Sequence, residues 1–139
     1  MTHIGTQYIE TERLILRRFE LSDAPAMFAN WASDGEVTKY LTWPTHADVS
    51  VTERILGEWV PQYEEDNCYR WAITVKKNGP EPIGSIDVCH WRGDGDVPEI
   101  GYCMGRRWWH MGIMTESLGA VIDFLLERVG VSRIVARHD

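Results

Sequence analysis

Between residues 71 and 104 the chain keeps a hydrophobic period of two, broken twice by tight turn signals. Trp71, Ile73 and Val75 alternate with Ala72 and Thr74, and the run stops at Lys76-Lys77-Asn78-Gly79-Pro80. A second run, Ile83 to Trp91, ends in the turn Arg92-Gly93-Asp94-Gly95-Asp96, and a third covers Glu99 to Met104. Parallel strands need crossovers of a dozen or more residues, so connections this short most simply make an antiparallel meander. A doubly wound nucleotide-binding sheet, with its helical crossovers, is thereby set aside.

The flanks are helical. Leu14 to Phe19 reads as a first strand. Ser22 can cap a helix carrying Ala24, Met27, Phe28 and Trp31, with Pro25 tolerated in its first turn. A loop from Val37 to Val49 follows, and Ser50-Val51-Thr52-Glu53 matches a capping box for a second helix through Trp59 and Val60. After Gly105 a longer helix is expected, with Met114, Leu118, Val121, Ile122, Leu125 and Val129 on one face and Gly130 as its stop. Ser132 to Arg137 reads as a last strand. The order β, two helices, three strands, helix, strand defines an α+β (α/β) domain.

With 139 residues, 44% hydrophobic and 25% charged, the chain supports one domain over residues 1–139 with one core. A net charge of −7 argues against partners that need phosphate neutralisation, so no nucleic acid is expected, and it mildly favours a cationic one such as an amine. No run nears the roughly 20 apolar residues of a membrane span, and the first residues lack the pattern of a secretion signal, so a cytoplasmic protein without a membrane partner is the default. Cys68, Cys89 and Cys103 are odd in number and widely spaced; the expectation is three small buried side chains and no structural disulfide. Adjacent strand residues point to opposite faces, so Cys89 and His90 are not expected to share a metal, and no zinc-type spacing occurs.

The segment Arg107-Trp108-Trp109-His110-Met111-Gly112-Ile113-Met114-Thr115-Glu116 joins a strand to the long helix. A helix start leaves about four N–H groups without internal partners at the positive end of its dipole, which suits a pyrophosphate. Gly112 would let the phosphates approach without a Cβ in the way. Many strand–glycine–helix junctions bind nothing, so this feature alone leaves the question open.

The opening Glu10-Thr11-Glu12-Arg13-Leu14-Ile15-Leu16-Arg17 resembles the first strand of the Rim-like branch of GNAT N-acetyltransferases. Glu99-Ile100-Gly101-Tyr102 with Trp109 to Leu118 is similar to that branch's cofactor strand and loop. The family pattern is Arg or Gln, two residues, Gly, one residue, Gly or Ala; Arg107 and Gly112 match, and His110 stands at the first glycine. That departure is tolerable if His110 needs no positive φ, because the ligands are backbone amides.

The resemblance implies a mostly antiparallel sheet flanked by helices, with two splayed parallel strands at an acetyl-coenzyme A site. Tyr102, Cys103 and Met104 would offer backbone groups to the pantetheine arm. Amides of His110, Met111, Gly112, Ile113, Met114 and Thr115 would hold the pyrophosphate, with Arg107 adding charge. Tyr40, Trp43 and Pro44 would lie near the acceptor, although by their residue types alone they read as a packed loop. The backbone near Cys103 would support the oxyanion. Glu99 is the candidate base for a primary amine, protein N-terminal or small; the alternative is a strand carboxylate pairing with an arginine.

Relatives in that family continue with a helix and two strands that normally supply an asparagine near the cofactor and a tyrosine acid for the thiolate. Neither is assignable here. The sequence-based expectation is a fragment, a truncated product or a sheet completed by another chain through dimerisation or swapping, folded but associated and weakly active or inactive. A domain that binds coenzyme A or a protein without catalysis is the competing class.

Overall fold

A computed structural model describes residues 1–39, 41 and 43–136. Its sheet runs in the order β1 (Ile9–Glu10), β2 (Leu14–Arg17), β3 (Tyr69–Val75), β4 (Pro82–Arg92), β5 (Val97–Met104), β6 (Val135–Ala136). The meander expected from the turn signals is present: Trp71 pairs with Ile86, and Ile86 with Tyr102, both antiparallel. Only β6 is parallel to its neighbour, through Glu99 with Val135 and Ile100 with Ala136. Arg137, the last residue of the expected strand, lies outside the described residues.

Alternation along the strands buries both faces of the sheet. One face carries Leu14, Leu16, Trp71, Ile86 and Ile100 against α4 (Ile113–Phe124), which contributes Ile113, Val121 and Phe124. The other packs Ala72 and Cys103 against Met27 of α1 (Ala24–Met27), Trp31 of the wider-turned segment Phe28–Ala32, and Leu56 of α3 (Val49–Trp59). Between these, α2 (Gly35–Thr38) turns the chain toward the loop that carries Trp43. Gly130 ends the helical segment after α4 at φ 90, as its position in the sequence suggests.

Both expected helix starts move. The first helical turn, Leu21–Asp23, is capped by Glu20, whose N–H donates to Asp23 Oδ2 at 2.7 Å, while Ser22 takes no part. Asp23 is fixed in that position by Arg17, 2.8 Å away. Asp48, not Ser50, caps α3 by accepting from the Ser50 N–H at 2.9 Å. Thr52 is turned inward, where its hydroxyl meets Nδ1 of the buried His46 at 2.6 Å. Asp is as good a cap as Ser, and a single sequence with both close together does not rank them.

The cysteine reading is overturned as well. Cys68 and Cys89 are disulfide-bonded, with Cα atoms 4.4 Å apart. They follow directly from the register: Tyr69 opposes Val88, so the next residues outward on the two strands oppose one another. Side chains facing each other across an antiparallel pair come that close, a proximity that the spacing of 21 residues does not reveal.

Candidate cofactor and acceptor site

Downstream of β5 the chain makes one tight turn, Arg106–Trp108, and then a left-handed step into α4. Gly112 is the N-cap residue at φ 76, and His110 stands at φ 63. The condition set for a histidine at this position, that it need no positive φ, is not met: the loop keeps the glycine-type conformation with a histidine in it, a cost of about 1–2 kcal/mol for an L-residue. The first bond of the helix runs from the Glu116 N–H to the Gly112 carbonyl at 3.0 Å. The N–H groups of His110, Met111, Gly112, Ile113, Met114 and Thr115 donate in none of the turn, loop, cap or side-chain hydrogen bonds among the described residues. A row of main-chain donors at the positive end of a helix is thus left for an anionic ligand. Arg107 is exposed beside it, its guanidinium 5.2 Å from the Trp108 ring centre.

A clamp from the other end of the chain sets the shape of this loop. Arg13 donates from Nη1 to the Met111 carbonyl at 3.0 Å and from Nε to Glu116 Oε1 at 2.6 Å. Glu116 Oε2 accepts from the Thr11 hydroxyl at 2.5 Å and from the Arg13 N–H at 3.0 Å. Burial is the largest single influence on the Glu116 carboxyl and pushes it up, but the bonds from Thr11 and Arg13 and the Arg13 charge outweigh it. The group is held below its ordinary value of 4.5.

On the opposite face of β4 and β5 lies a cavity of about 130 Å³. Its polar wall comes from Arg70, Ser85, Asp87 and His90, and its apolar wall from Leu41, Trp43 and Trp59. The strand pairing places Ser85 opposite Cys103 and Asp87 opposite Gly101, then slips before His90 meets Glu99. That irregularity brings Cys89 and His90 to the same cavity, contrary to the opposite-face expectation for strand neighbours. Among the described residues no cluster has the composition of a metal site. Arg70 lies over Trp59, its guanidinium carbon 4.3 Å from the ring centre, and donates to Gln62 Oε1 at 2.7 Å and to the Cys89 sulfur at 3.6 Å. Burial lowers the Arg70 pKa, and the Asp87 charge works against that fall. Trp43 is braced by His46, whose N–H donates to the Ala32 carbonyl at 2.9 Å. Burial, aided by the charge of Arg54, keeps the His46 pKa below its ordinary value.

The structure divides the residues expected from the sequence. Tyr102 and Cys103 line the cavity, and the Cys103 sulfur lies 3.4 Å from the Ser85 hydroxyl. At Met104, the last of the three residues expected to offer backbone groups to the pantetheine arm, the carbonyl accepts the Trp109 indole N–H at 2.8 Å. Glu99 does not line the cavity; Arg92 donates to its carboxylate at 3.2 Å, which is the pairing its alternative reading described. Trp43 is a cavity wall and also packs on the core under α3. Tyr40 lies outside the described residues.

The acetyltransferase (GNAT) domain model matches residues 13–139. The chain belongs to the GNAT acetyltransferase family. The uncharacterized N-acetyltransferase p20 of Bacillus licheniformis is 34% identical over 127 residues, which cover 91% of this chain and 70% of that protein. Among solved structures, a putative ribosomal-protein-serine acetyltransferase from Vibrio cholerae aligns with a TM-score of 0.80 at 19% identity, over all of this chain and 76% of that one. The ribosomal α-N-protein acetyltransferase RimL, solved in complex with coenzyme A, aligns with a TM-score of 0.78 at 19% identity, over 94% of this chain and 73% of its own. The GNAT fold, with its parallel β5–β6 pair in an otherwise antiparallel sheet, is the architecture built above.

Within this GNAT domain the sequence reading missed Arg70, Asp87, His90 and the Thr11–Arg13–Glu116 clamp. Asp87 carried a visible signal, a carboxylate set in the strand run Ile83 to Trp91 with apolar residues on either side. Arg70 carried none, because its place depends on the pairing of β3 with β4.

Proposed function

We propose that this chain transfers the acetyl group of acetyl-coenzyme A to a primary amine in the cytoplasm. The observation that carries the reading is the row of N–H groups at 110–115, at the end of a strand whose other face opens on a cavity containing a carboxylate. The amides His110 to Thr115 hold the diphosphate, Arg107 adds charge, and the stretch of β5 past its pairing with β6, Gly101 to Met104, guides the thioester arm toward Cys103. Asp87, which lines the cavity, is the base in this reading, taking a proton from the bound ammonium, directly or through water, to free the amine for attack. The attack forms the N–C bond, main-chain N–H near Cys103 supports the oxyanion, and collapse breaks the C–S bond; the proton shed by the acylated nitrogen passes to the leaving thiolate, which departs as the thiol. An α-amine with a pKa near 8 needs less help from such a base than a lysine near 10.4.

Thiol release from acetyl-coenzyme A with a panel of amines and an N-terminal peptide tests the assignment. Asp87→Asn should lower kcat about 100-fold with little change in acetyl-coenzyme A affinity, and Glu99→Gln should stay within about twofold of the parent. An unchanged pH–rate profile in Asp87→Asn would remove Asp87 from the chemistry. Tight cofactor binding with no turnover of any amine would favour a coenzyme A-binding domain without catalysis.

A further inference from the structure

The polar wall of the acceptor cavity is a matched pair of opposite charges. Arg70 on β3 and Asp87 on β4 are register partners, so their side chains leave the same face of the sheet from strands one step apart. Residues directly opposite on neighbouring strands have Cβ atoms about 5 Å apart, so an amine and a carboxylate carried on one carbon can meet both side chains at once. Yet the two do not neutralise one another in a close pair. Arg70 is in none of the ion pairs within 4.0 Å among the described residues. Its fixed partners are neutral, the Gln62 amide oxygen at Nη1 and the Cys89 sulfur at Nη2, and the guanidinium carbon lies 4.3 Å from the Trp59 ring centre.

A half-buried guanidinium held by neutral partners, and with further N–H donors in a planar fork, is organised for an anion. A net charge of −7 does not favour an acceptor that is itself an anion, but leaves a zwitterion unaffected. Room is short. The cavity is about 130 Å³, and Leu41, Trp43 and Trp59 close its apolar side.

We infer that the acceptor is a compact α-amino acid, its carboxylate bound by Arg70 and its amine presented at Asp87, with Arg70 as the residue that selects it. This rests on the amine-acetylation reading and names its substrate class. Polyamines, alkylamines and lysine side chains lack the anion that Arg70 would bind, and a chain-initial residue of a protein offers a carbonyl in its place.

Steady-state kinetics of the full chain with acetyl-coenzyme A and L-alanine, L-alaninamide, ethylamine or an alanyl peptide tests this. Alanine should be favoured over each of the others by about 100-fold in kcat/KM, because the unpaired guanidinium penalises an acceptor without the anion. Arg70→Gln should remove that preference, raising KM for alanine about 100-fold while changing kcat little and leaving alaninamide nearly unaffected; Arg70→Lys should restore part of it. Because the acceptor comparison uses the unaltered protein, it remains decisive even if a variant folds poorly. The inference is overturned if alaninamide, ethylamine or the peptide matches alanine, or if Arg70→Gln lowers all acceptors equally, as a purely structural arginine would. Turnover without a carboxylate preference sinks this inference alone, whereas no turnover with any amine sinks the acetylation reading along with it.

Discussion

Two left-handed residues on either side of Met111, His110 and Gly112, carry the bend of the loop. A Cβ at Gly112 would meet only Arg13 Nη2, at 3.4 Å, an ordinary contact with a movable side-chain end, so the positive φ is the cost that matters. Gly112→Ala should destabilise the fold by about 1–2 kcal/mol and weaken acetyl-coenzyme A binding, read as a lower thermal midpoint and a raised Kd by calorimetry. His110→Gly, by contrast, removes a left-handed Cβ and should leave the midpoint unchanged or higher with binding intact. A large loss of binding in His110→Gly would show that the imidazole itself contacts the ligand.

At the scale of elements, the loop is positioned from a distance. Thr11 and Arg13, at the entry to β2, hold Glu116 in the first turns of α4, and Arg13 also grips Met111. Charge-assisted bonds of this kind are stronger than neutral ones, but Arg13 is 46% exposed, so Glu116→Gln should cost only about 1 kcal/mol. The Glu116 carboxyl is depressed in the folded chain, so its contribution is complete above its unfolded value of about 4.5 and is lost as pH falls through the lower folded value. Denaturant midpoints below pH 4.5 should therefore fall more steeply in the parent than in Glu116→Gln; parallel curves would contradict the clamp. The Cys68–Cys89 bridge ties the entry of β3 to the irregular stretch of β4 beside the cavity. Closing a loop of 21 residues stabilises by about 3 kcal/mol on the chain-entropy account. Cys68→Ser should show a loss of that size under oxidising conditions and none when the parent is reduced as well.

Across the whole molecule, what was legible in the sequence was whatever short-range patterning decides. The meander followed from turns too short for crossovers, and α4 from its apolar stripe and Gly130. The loop before it was found from Gly112 and the resemblance around it. What was not legible depends on register. A slip in the β4–β5 pairing carries Cys89 and His90 to one cavity, and the pairing of β3 with β4 sets Cys68 against Cys89 and Arg70 beside Asp87. None of these juxtapositions is encoded in local spacing. Helix caps failed for a smaller reason, since several residues of nearly equal capping strength stand within one turn.

The reading as a whole depends on main-chain donors at 110–115 meeting a diphosphate. Amide NMR spectra of the full chain, titrated with acetyl-coenzyme A, observe those donors one by one. The account predicts that the largest shifts fall on His110 to Thr115, with smaller ones along Gly101 to Met104, and that acetyl-pantetheine, which lacks the diphosphate, leaves the 110–115 amides in place. Saturable binding that moves other amides and leaves this row unmoved would contradict it.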